Sequence, residues 1–103
     1  MDINQRHLVY KTAKQLYEEF VDRGGAPDSD RSPFLCDNLK HAYRALFGYQ
    51  GATGYDWFEI RDFTEFMKFK PEDASEHDHW WPISDWETRL KVLDECIKLT
   101  ETI

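Results

Sequence analysis

The sequence predicts an all-α fold, a small helical bundle of three main helices plus a shorter aromatic one. Three observations carry that expectation. Apolar residues recur at helical rather than alternating spacing in several separate stretches. Helix-starting and helix-stopping residues bound those stretches. The chain has 103 residues, the length of one domain, so residues 1–103 are expected to share one core. Aromatic residues make up 16% of the chain, which suits a small core filled with large side chains.

The first helix is expected over residues 3 to 23. Val9, Ala13, Leu16, Tyr17 and Phe20 form one apolar stripe, and Gly24-Gly25 stops it. The second starts at Ser32-Pro33, a serine suited to an N-cap before a proline suited to the first helical position. It carries Phe34, Leu35, Leu39, Tyr43, Leu46 and Phe47, with Cys36 and Ala42 among them, and ends at Gly48. Residues 49 to 55 read as a loop with two glycines between two tyrosines.

Residues 56 to 70, DWFEIRDFTEFMKFK, predict the short aromatic helix. Trp57, Ile60, Phe63 and Met67 lie three or four apart, with Phe58 and Phe66 around them, and Pro71 ends the helix. Residues 71 to 79 form a polar connector. Ser84 and Glu87 then read as a capping box that opens the last helix. Trp86, Leu90, Leu93, Ile97 and Thr100 make one face of it, broadened by Val92, Cys96 and Leu99.

The stretch HDHWWPISDW, residues 77 to 86, holds three of the four tryptophans. Trp86 is in register with Leu90 and Leu93, so it is expected in the core. Trp80 and Trp81 are adjacent, and Pro82 biases Trp81 to an extended conformation. In an extended connector one ring faces in and the other out. An outward tryptophan amid acids is a natural anchor for a partner; the alternative is that both rings cap the edge of the core, with their indole N–H groups bonded to loop carbonyls.

Charge narrows the choice of partner. Twenty acids against 13 bases give a formal charge of −7, which disfavours direct contact with nucleic-acid phosphates and suits a basic protein surface. No signal-peptide pattern or span-length apolar run occurs, so no membrane is expected, and the two cysteines, Cys36 and Cys96, are expected to be free thiols in a reducing cytoplasm. Their places on apolar helical faces make them small buried hydrophobes.

Other constellations point away from catalysis and metal. Glu76, His77, Asp78 and His79 include ligand types but lack a third and fourth ligand at a metal-site spacing, so a solvated acidic loop is expected and no metal. Cys36 and His41 lie five apart on one helix and point in different directions. No nucleophile elbow, phosphate loop or dinucleotide fingerprint occurs. No catalytic residue and no cofactor is therefore expected. Asp56, Glu59, Asp62 and Glu65 recur every third residue, a row that drifts around an α-helix and reads as its solvated surface.

The run FLCDNLKHA, the segment FTEFMKFKP and the close WWPISDWETRLKVLDECI together resemble a group of small bacteriophage-encoded accessory proteins. In that group a Cys-containing helix precedes a Phe-x-Glu-Phe-like segment, a Trp-Trp-Pro element and a closing Arg-x-x-x-Leu helix. The matching positions are Cys36, Leu39, Phe63, Glu65, Phe66, Lys70, Pro71, Trp80, Trp81, Pro82, Trp86, Arg89 and Leu93, over roughly the last two-thirds of the chain. The resemblance implies provenance more than mechanism. It favours a non-enzymatic protein that binds a host or anti-phage defence protein, such as a CRISPR or restriction component.

The expected partner-binding residues are Trp80 and Trp81, with Asp78, Glu76 and Asp85 supplying charge. The alternative is a sponge that sequesters a nucleotide-like small molecule, stacking its base on Trp or Tyr and clamping phosphate with Arg31, Arg44, Arg61 or Arg89. A homodimer is compatible with either reading.

Overall fold

The computed structural model describes residues 2–26, 35–48, 62–70, 72 and 85–101. Among these it is all-α: α1 is Ile3–Asp22, α2 Leu35–Phe47, α3 Thr64–Met67 and α4 Trp86–Leu99. No strand occurs among the described residues.

The first helix begins with a capping box that the sequence reading passed over. The Asp2 carboxylate accepts from the Gln5 amide at 2.8 Å, and the Gln5 side chain accepts from the Asp2 amide at 2.9 Å. The helix ends in a Schellman arrangement: Gly24 N donates to Val21 O and Gly25 N to Phe20 O, each at 2.9 Å. Gly24 has φ +89°, a conformation that costs glycine nothing and other residues a clash. Gly48, with φ +70°, closes α2 by the simpler left-handed cap, its amide donating to Arg44 O at 2.9 Å.

α1 packs against both α2 and α4. Val9, Ala13 and Tyr17 of the expected stripe are fully buried, as is Tyr10, which that stripe omitted. On α2, Leu35, Leu39, Ala42 and Tyr43 turn inward, while Leu46, expected on the apolar face, is exposed. Asn38 joins the inward face because its side-chain amide donates to Ala13 O at 2.6 Å, satisfying a buried polar group across the α1–α2 interface.

α4 runs antiparallel to α1. Trp86 at its start meets Tyr17 and Phe20 near the end of α1, and Thr100 at its close meets His7 near the beginning. Its start differs from the expected one. Asp85, not Ser84, is the N-cap: its Oδ1 accepts from Thr88 N at 2.8 Å and from the Thr88 hydroxyl at 2.7 Å. Glu87 then occupies the second helical position and takes no part in the cap. The Asp85 carboxylate suits the N-cap because it accepts an orphan amide and faces the positive end of the helix.

The buried face of α4 is also rotated from the expected one. Arg89, Val92, Leu93, Cys96 and Thr100 are buried; Trp86, Leu90 and Ile97 are only partly so, and Leu99 is exposed. Thr100 is held by its hydroxyl, which donates to Cys96 O at 2.7 Å.

α3 is much shorter than the helix expected over 56–70; residues 56–61 lie outside the described residues. After Met67 the chain tightens into i→i−3 bonds, Lys68 N to Glu65 O, Phe69 N to Phe66 O and Lys70 N to Met67 O, at 3.0–3.3 Å. Phe63 and Phe66, three apart, both reach zero exposure in the core. Of the acids expected on the helix surface, Asp56 and Glu59 lie outside the described residues. Asp62 is exposed, but Glu65 turns inward to 8% exposure.

Candidate functional site

Two regions concentrate polar chemistry. The first is an inner cluster between α1 and α3. Arg6 projects from the first turns of α1, and its Nε and Nη2 donate to the two Glu65 oxygens at 2.8 and 3.1 Å. The Tyr10 hydroxyl, one turn along, donates to Glu65 Oε1 at 3.0 Å and accepts from Phe66 N at 3.4 Å. The Thr64 hydroxyl donates to Glu65 Oε2 at 3.1 Å. The carboxylate is therefore met on both oxygens by a planar fork and two hydroxyls.

Electrostatics follow from this geometry. Burial works against the charged Glu65, but the bonds from Arg6, from its own backbone amide and from Tyr10 together outweigh it and hold the carboxyl below its ordinary value. The Tyr10 hydroxyl is pushed well up, first by burial and then by nearby negative charge including Glu65, so it stays a donor.

The second region is the end of the α1–α4 pair where α1 finishes and α4 begins. Exposed Glu18, Glu19 and Asp22 of α1 sit at the same end as exposed Asp85 and Glu87 of α4. Between the helices the Trp86 ring stands edge-on to Tyr17, with centroids 5.0 Å apart, and lies 6.3 Å from Phe20. Trp86 and Phe20 are half-buried, so each keeps part of its ring at the surface. Trp86 thus packs against the core, as its register with Leu90 and Leu93 suggested.

Of the expected partner-binding residues, Asp85 is exposed and serves as the α4 cap, with its carboxyl lowered by the Thr88 bonds. Trp80, Trp81, Asp78 and Glu76 lie outside the described residues, as do His77 and His79. Among the arginines considered for phosphate, Arg44 is exposed on α2 and Arg89 is buried on α4; Arg31 and Arg61 lie outside the described residues.

Both cysteines are free and buried. Burial pushes each thiol up to about 12, which leaves little thiolate for nucleophilic work near neutral pH. His41 is exposed while Cys36 is buried, so the pair is not a catalytic dyad. Among the described residues no group of three or more His, Cys, Asp or Glu could hold a metal ion. No helix among them is long and apolar enough to cross a membrane.

Arg6 and Tyr10 were absent from the sequence reading of function. A signal did exist: Arg6 falls on the same α1 face as Ala13 and Tyr17, and Glu65 stands between Phe63 and Phe66. A charge inside an apolar stripe asks for a buried partner. No protein-family model matches the chain, and neither a curated protein nor a solved structure matches it.

Proposed function

We propose that this chain is a non-enzymatic, phage-type accessory protein that binds and inhibits a host or anti-phage defence protein through an acidic, aromatic-bearing surface. The supporting observation is that exposed Glu18, Glu19, Asp22, Asp85 and Glu87 lie at one end of the antiparallel α1–α4 pair, the end that also holds the half-buried Trp86 and Phe20. Acids in that number steer a basic partner surface toward them, and aromatic rings supply the anchor. In this proposal Trp80 and Trp81 supply the anchor and Asp78 and Glu76 the charge that the sequence assigns to them. The sponge alternative gains no specific support from the described arginines, Arg44 and Arg89.

The test is capture from host lysate with the unmodified protein, Trp80→Ala/Trp81→Ala and Glu18→Lys/Asp22→Lys, each checked by circular dichroism. The captured protein should present a basic surface, and its binding should weaken with salt. The folded tryptophan variant should lose about 2 kcal/mol of affinity, the loss of a hot spot. Equal binding by all three folded proteins would reject the surface.

A further inference from the structure

The three long helices and α3 are held in place by different means. α1 and α4 meet along their lengths, from Tyr17–Trp86 through Lys14–Asp94 to His7–Thr100. α1 and α2 are in direct contact and share Val9, Ala13, Leu35 and Leu39 in the core. Each interface joins helices of three or more turns. α3 has four residues, too few to be stable as a helix by themselves. Its first residue has no side-chain cap, and its later turns rest on i→i−3 bonds of 3.0–3.3 Å. Besides its packing against α4, two attachments tie it to the core and to α1. One is apolar, Phe63 and Phe66 in the core, with the Phe63 ring 5.9 Å from Tyr10. The other is polar, the Glu65 carboxylate in the grip of Arg6 and Tyr10, with Phe66 N on the same Tyr10 hydroxyl.

We propose that the segment from Asp62 to Lys70 is a strap latched onto α1 by the Glu65 carboxylate, and that it opens as one unit while α1, α2 and α4 remain assembled. Opening breaks every bond that Glu65 makes to α1 and withdraws Phe63 and Phe66 from the core. It also uncovers Arg6 and the Tyr10 hydroxyl, whose donors are set for a carboxylate. The open form therefore presents a carboxylate-binding pair that the closed form fills from within the chain.

Native-state hydrogen exchange under sub-denaturing urea tests this on the unmodified protein. The amides of Phe66, Met67 and Phe69 should exchange faster, and with a smaller urea dependence, than those of Ala13 and Leu93. The same rate and slope for all five would make α3 part of one cooperative unit and overturn the proposal. Glu65→Gln supplies the second arm. Opening through the latch predicts at least about tenfold faster exchange of the α3 amides, the factor expected for weakening hydrogen bonds to a charged group. Unchanged α3 exchange would mean that these amides fray past an intact latch, and would also overturn it. If Glu65→Gln does not fold, Tyr10→Phe removes a smaller part of the latch. It should accelerate the same amides severalfold, and unchanged exchange would count against the strap in the same way.

Discussion

Among the described residues α1 makes two ion pairs with its neighbours, and the two differ in burial. Lys14 and Asp94 approach to 2.6 Å on the surface, with side chains 34% and 55% exposed. Arg6 and Glu65 approach to 2.8 Å with side chains 16% and 11% exposed. The shorter pair is the weaker one. Water screens Lys14 and Asp94, and two long exposed side chains lose freedom to hold a single geometry. Arg6 and Glu65 have surrendered most of their water, so each depends on the other and on Tyr10. Distance alone does not rank ion pairs; what replaces the lost solvent does.

The largest expected effect breaks the inner pair. Glu65→Ala removes the carboxylate that the Arg6 guanidinium and the Tyr10 hydroxyl share in a mostly buried site. A loss of about 3 kcal/mol in urea unfolding is expected. A loss within the range of a surface pair would place Glu65 and Lys14 in the same class and end the contrast.

An intermediate effect comes from acid. The folded Glu65 carboxyl lies below its ordinary value, so as pH falls the unfolded chain takes up this proton before the folded chain does. The stabilisation is complete above the unfolded value, about 4.3, and is lost as pH falls through the folded one. Urea midpoints measured down this range should fall more steeply for the unmodified protein than for Glu65→Gln. Parallel curves would remove the electrostatic account of the cluster.

The smallest effect is at the surface. Lys14→Ala should change stability by less than about 1 kcal/mol, and added salt should erase most of the difference. A larger, salt-resistant loss would show that Lys14 contributes through its packed aliphatic stem rather than its charge.

The same contrast explains what was legible in the sequence. Helical periodicity located α1, α2 and α4 and placed Ala13, Tyr17, Leu39 and Leu93 inside, because burial of a stripe depends on spacing along one helix. Local signals were less secure. The serine that resembled a cap precedes the aspartate that caps α4, since both residue types suit an N-cap and spacing alone does not choose between adjacent ones. The row of acids at every third position was read as surface, yet α3 turns Glu65 inward because Arg6 waits there, 59 residues away along the chain. Leu46 and Leu99 sat in expected apolar faces and are exposed, because neighbouring helices decide where a stripe is covered.

The acidic, aromatic character of the candidate surface was legible in composition and in the run before α4. Its geometry was not, because Glu18 and Glu87 come to the same end of the fold only through antiparallel pairing of the first helix with the last. The sequence by itself determined helix type, the apolar stripes, the glycine stops and the negative charge, all of which are local or additive properties. Only the tertiary structure decided that Arg6, Tyr10 and Glu65 share one site, that α3 is a short tightened segment rather than a full helix, and which acids share an end. Those outcomes depend on which helices desolvate one another, and desolvation is set by contacts between residues that spacing along the chain does not relate.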